Sequence, residues 1–167
     1  MNDLTLWLTC LTGPSRMHSL FLRQHLDPNL HVDASLSFSL CFAFENKCAG
    51  WHLTDGWVAR GHNIGWAVSV ALELVIYWLI QRGFHNVDVT VHSNNTGVIA
   101  AFSNRKSRNT AQNDCIQCIT YDLIPVCLTI SPMYILSCEN LADPVSHGHT
   151  DGYDAHLTCT FPLLIPL

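Results

Sequence analysis

Charge is scarce in this chain, and positive charge is scarcer still. Only 13% of its 167 residues are charged, and thirteen acids against eight bases leave a net charge of −5. That balance excludes grip on a polyanion by bulk attraction, so any contact with a nucleic-acid backbone has to be local. No HExxH occurs, no second CxxC accompanies Cys115 and Cys118, and the basic, apolar and small-residue pattern of a secretory leader is missing from the start. The eight cysteines are therefore expected to be reduced thiols of an intracellular protein. The lone CxxC lies in a helical pattern, where a buried helix face competes with a zinc site. His147, His149 and His156 have the spacing of solvated loop residues.

What the chain does have is apolar substance. At 49% hydrophobic residues it can bury a core, and its length suits one domain. Ile64 to Ile80 is apolar apart from Ser69 and Glu73. A membrane span is one reading, but the stretch is shorter than the usual ~20 residues and carries a carboxylate near its middle. A helix buried against a sheet is the other, and the expectation here is a protein with no membrane contact.

Alternation of apolar and polar residues predicts strands over Leu30 to Ser37, Phe38 to Glu45 and Cys48 to Leu53, joined by short turns as an antiparallel meander. A long helix follows from Ile64 to Arg82, and Val87, Val89 and Val91 mark a fourth strand ending in Ser93, Asn94 and Asn95. Thr96 to Phe102 reads as a short helix capped by that Asn pair, and Asn104 to Arg108 as a basic loop. Thr110 to Leu123 is a helix stopped by Pro125, Leu128 to Ile135 a fifth strand whose Pro132 suits an edge or bulge, and Asn140 to Ser146 the start of a last helical turn. The order β-β-β-α-β-α-α-β-α predicts an α/β fold: a five-stranded mixed sheet, with a three-stranded meander plus two parallel strands and helices on both faces. Ligands of such sheets collect beyond the carboxyl ends of strands, where Asp33 and Asn94 would sit.

Asp33 poses the sharpest question, because an unpaired carboxylate inside an apolar run is costly. Glu73 poses it again, as the sole acid of a helix apolar nearly all round with no base within a turn. "VDAS" at 32 to 35, "ALEL" with Glu73, "SNNTGVIAAF" at 93 to 102, "KSRN" at 106 to 109 and "NLADPVSHG" at 140 to 148 together resemble the ribonuclease H domain that follows reverse transcriptase in fungal retroelements. The resemblance covers residues 29 to 148. It leaves 1 to 28 as a connector, whose "DLTLW" resembles the polymerase junction, and 149 to 167 as an unmatched tail.

The resemblance implies a ribonuclease H-like fold, derived from a retroelement polyprotein, that cuts the RNA strand of RNA–DNA hybrids as a monomer or beside a reverse-transcriptase domain. In that family four acids hold two Mg²⁺ or Mn²⁺ ions about 4 Å apart. Asp33 matches the first acid, Glu73 the second and Asp143 the fourth, while Asn94 stands at the third. Asn94 brings an amide oxygen without charge. Arg105, Lys106, Arg108 and Asn95 are the implied nucleic-acid contacts. A bland reading stands beside each residue: Asp33 as a turn cap, Asp143 as a helix-start residue, the basic loop as a solvated one. Leu141 and His147 occupy positions where the related elements carry arginine. Two functional readings follow, an active hybrid nuclease and an inactive remnant with weak or no nucleic-acid binding.

Overall fold

The computed structural model describes residues 4, 5, 8, 23–36 and 39–157. Most of the connector, the tail beyond residue 157 and the junction of the first two predicted strands at Ser37 and Phe38 lie outside the described residues. The strands are β1 (Gln24–Ala34), β2 (Ser39–Phe44), β3 (Lys47–His52), β4 (Val87–Ser93), β5 (Thr129–Tyr134) and the two-residue β6 (Ala155–His156). The helices are α1 (Ile64–Gln81), α2 (Thr96–Ser103), α3 (Thr110–Val126) and α4 (Ala142–Ser146), with short 3-10 turns at Trp57–Arg60 and Ser137–Glu139.

The six strands form one mixed sheet in the order β5-β4-β1-β2-β3-β6. β1, β2 and β3 pair antiparallel, while β4 runs parallel to β1 and β5 parallel to β4. The meander and the two parallel strands are thus as the residue pattern predicts. Pro132 lies on the edge strand, where its missing N–H costs no ladder bond on the solvent side.

Two boundaries differ from the sequence reading. β1 starts at Gln24, inside the expected connector, because Gln24 to Leu26 pair with Val87 to Val89 before the register shifts around Pro28. The kink at Asp27 to Asn29 disguises the first half of the strand, and Asn29 takes a left-handed φ of 57° there. At the other end, β6 adds Ala155 and His156 alongside Lys47 and Cys48, so the first part of the tail belongs to the sheet. A third, smaller difference is that α3 runs through Pro125 to Val126. Pro125 falls in its last turn, and Cys127 closes it in the left-handed region at φ 53°.

Period-two alternation divides the core between the two faces. Leu30, Val32, Leu40, Phe42, Val89 and Val91 join the main core under α1, whereas Cys41, Ala43 and Cys48 pack with Ala142 and Val145 of α4 on the opposite face. α1 buries twelve of its eighteen residues between the sheet and α3, and Asn63 caps it by accepting the Trp66 N–H at 2.9 Å. This helix is long and apolar enough to cross a bilayer, yet 67% of that stretch is buried within the protein. Its apolarity is what a helix covered by strands on one side and by α3 on the other requires.

Candidate functional site

Alternation along β1 puts Val32 and Ala34 into the main core and turns Asp33 to the face that carries α4. The strand ends there, so the Asp33 carboxylate lies at the carboxyl edge of the sheet, next to the end of β4 where Asn94 follows Ser93. Asp33, Asn94 and Asp143 line one open cleft of about 480 Å³, together with Asn95, His147 and Ile64. Three of the four positions read from the sequence as the acid set are therefore neighbours in space.

Their chemistry is uneven. The Asp33 carboxylate is only 6% exposed and accepts the Ser146 hydroxyl at 3.3 Å. Burial, reinforced by the negative charge of Asp143, pushes its pKa up to about 6, against the pull of the Ala34 N–H, Ser146 and His147. Asn94 donates its amide N–H to Ser137 Oγ at 3.0 Å, which fixes that side chain by its nitrogen end. Asn95 spends its side-chain oxygen on the Val98 N–H at 3.0 Å as the cap of α2, so its predicted nucleic-acid contact competes with a structural task.

Glu73 is not brought to this cleft. Ile64 is the α1 residue that lines it, and Glu73 lies nine residues further on; at ~100° per residue that is half a turn away on the helix. The Glu73 carboxyl instead accepts the Tyr77 hydroxyl at 3.3 Å and the Cys115 thiol at 3.2 Å, in the seam between α1 and α3. The expected convergence of Glu73 with Asp33 and Asp143 is corrected accordingly. The carboxyl is satisfied by a thiol and a phenol rather than facing a cation. Cys115, half of the lone CxxC, is thereby explained as a buried helix-face residue.

Burial, aided by the charge of Asp122, raises the Glu73 pKa while the two hydrogen bonds lower it. A raised acid gives its full contribution below its unfolded value and loses it as pH climbs through the folded one. Glu73→Gln should accordingly leave the melting temperature at pH 7 unchanged or higher, and gain nothing at pH 4. Thermal melts at both values check this; a large loss at pH 7 would show the ionised carboxylate to be required.

The basic segment is ordered rather than free. Ser107 N–H donates to Asn113 Oδ1 at 3.1 Å, Ser107 Oγ to Gln112 Oε1 at 2.6 Å, and Asn109 Nδ2 to the Gly61 carbonyl at 3.3 Å. Lys106 and Arg108 line a second cleft of about 720 Å³ with Asn63, Gly97 and Asn109. Asn63 and Asn109 cap α1 and α3 there, so helix N-termini add partial positive charge to the two cations. Arg105 is exposed with a left-handed φ of 53° and does not line this cleft. A third cleft of about 290 Å³, between Ser35 and Leu36 and the Leu53 to Val58 loop, meets the first at Ser35 and Leu36. The second shares no lining residue with the other two, but it adjoins the first along the chain, where Asn63 precedes Ile64 and Gly97 follows Asn95 by two residues, so the three clefts form a groove disposed about Asp33.

Among the described residues no three His, Cys, Asp or Glu side chains are gathered as a cation site. Two carboxylates, one of them holding its proton to about pH 6, and one amide do not fit a pair of divalent ions. Sequence reasoning missed the rotational phase of α1: Ile64 is the position an acid would need to occupy to reach this cleft. An apolar residue there gives no signal of that kind. Compared with known proteins, the chain matches no family model and no curated sequence.

Proposed function

We propose that this chain is a ribonuclease H-like module that contacts a polynucleotide backbone without cutting it. The observation that carries this reading is the half-turn separating Glu73 from the cleft shared by Asp33, Asn94 and Asp143. Hydrolysis by two metals needs several negative charges converging on one point, and here two carboxylates converge while the other two positions supply an amide and an acid on the wrong face. Backbone contact needs less. Lys106 and Arg108 in a rigid loop beside capped helix ends supply the donors that phosphate oxygens take.

A hydrolytic reading keeps one observation in its favour, the meeting of Asp33, Asn94 and Asp143 at the carboxyl edge of the sheet. A labelled RNA–DNA hybrid incubated with the protein in Mg²⁺ or Mn²⁺ separates the two. The non-cutting reading expects an intact RNA strand, and metal-dependent cleavage that vanishes in Asp33→Asn would overturn it. It also expects Asn94→Asp alone to leave the hybrid intact, because Glu73 stays half a turn away. Lys106→Ala and Arg108→Ala should each weaken binding and lower the salt dependence by about one released counterion, read from the slope of log affinity against log salt.

A further inference from the structure

We propose that the groove takes one unpaired strand in preference to a hybrid duplex; this rests on the backbone-binding reading above and assigns it a ligand. The groove is electrostatically lopsided. At one end Lys106 and Arg108 offer two cations, in the centre lie the Asp33 and Asp143 carboxylates, and at the far end Asp55 is the charged side chain among the described lining residues. That far end is also apolar on its rim, with Leu36 62% and Val58 53% exposed.

A duplex presents two rows of phosphates, and a backbone laid on Lys106 and Arg108 would bring the second row over Asp143, Asp33 and Asp55. Like charges facing each other with no cation between them oppose that pose. An unpaired strand presents phosphates on one side and uncharged bases on the other. Its phosphates meet the cationic end. Its bases, splayed toward the centre and far end, meet Leu36 and Val58 with their faces, and the exposed Thr54 hydroxyl with their edges. The more exposed acids, Asp143 and Asp55, then serve as acceptors for base amino groups rather than as neighbours of phosphate. The overall charge of −5 sharpens the contrast, since no general basic field offsets the local repulsion.

Fluorescence anisotropy of end-labelled oligonucleotides of roughly 16 nucleotides, a length that covers one binding groove, tests this at a single fixed salt concentration without divalent metal. Single-stranded RNA or DNA should bind about tenfold or more tightly than the RNA–DNA hybrid of the same sequence. Asp55→Lys should narrow that gap by raising hybrid affinity, and Leu36→Ser should weaken single-strand binding while leaving the hybrid unchanged. Both side chains are exposed, so these variants report on the groove and not on folding. Hybrid bound as tightly as the single strand, or more so, overturns the strand preference and leaves the backbone-binding reading standing. Absence of binding by every oligonucleotide overturns both.

Discussion

Asp33→Asn is expected to stabilise the protein by about 1–3 kcal/mol at pH 7 and by no more than about 0.5 kcal/mol at pH 4. The natural carboxyl has its pKa raised from 3.8 to about 6 in the folded state by burial first and by Asp143 second. Below pH 3.8 both folded and unfolded forms hold the proton, and the group contributes its full stability. As pH rises from there toward 6 the unfolded chain releases its proton while the folded chain keeps it, so folding loses ground at every step. Above 6 the penalty is constant. At about 1.4 kcal/mol per unit, a shift of roughly two units sets the upper bound, and relaxation of the pocket lowers the yield. The amide can still accept from Ser146 through its oxygen, so that bond is kept. For a chain of this length the gain corresponds to a rise in melting temperature of roughly 2–10 °C. Melting curves at pH 4, 5, 6 and 7 would show the natural and substituted proteins diverging as pH rises. A variant less stable at every pH would mean that the carboxylate is satisfied where it stands, and that the cleft carries no stored repulsion.

The same residue shows what a reader of the sequence could and could not obtain. Asp33 was legible because period-two alternation is strict in that part of β1, and a charge breaking it has nowhere neutral to go. Asn94 and Asp143 were legible because strand ends and helix starts are local events marked by Asn, Pro and small residues. Glu73 was not. A helix that is apolar nearly all round has no polar stripe from which to read its rotation, so the sole acid could be noticed but not aimed. Its partners, Cys115 and Tyr77, lie forty-two residues away and four residues away respectively. The first of these is a tertiary contact that no local pattern encodes. The early start of β1 was hidden for a different reason: Pro28 looks like a linker residue until Gln24 to Leu26 are seen paired to β4. Asp27 belongs to this unexpected part of β1. It bonds His92 at 3.0 Å, and the His31 and His92 rings stack at 4.9 Å, so a residue of the expected connector joins two strand histidines in tying β1 to β4.

Combining Ile64→Glu with Asn94→Asp should give the cleft a much higher cation affinity than the natural chain has. Ile64 is the α1 residue that already lines the cleft, and it occupies the first turn of the helix, where a carboxylate is favoured by the exposed N–H groups. With Asp33 and Asp143 the change gathers four carboxylates at one point, which by repulsion should lower the melting temperature in metal-free buffer. Millimolar Mg²⁺ or Mn²⁺ then relieves that repulsion. A cation present at a hundred times its dissociation constant adds about 2.7 kcal/mol to stability, or roughly 5–10 °C for a chain of this size. The natural protein should shift by no more than about a degree on the same addition, a bound that follows from affinity near or weaker than the metal concentration. Adding Glu73→Gln to the pair should leave the metal response intact, because that carboxyl faces α3 and takes no part. Metal-dependent cleavage of a hybrid by the paired variant, and by neither the single variants nor the natural chain, would show that these two positions decide whether the cleft hydrolyses. An unchanged melting temperature with metal, in a variant that folds, would show that Asp33, Asn94, Asp143 and Ile64 do not converge closely enough for one ion, and the likeness of this cleft to a two-metal site would fall with it.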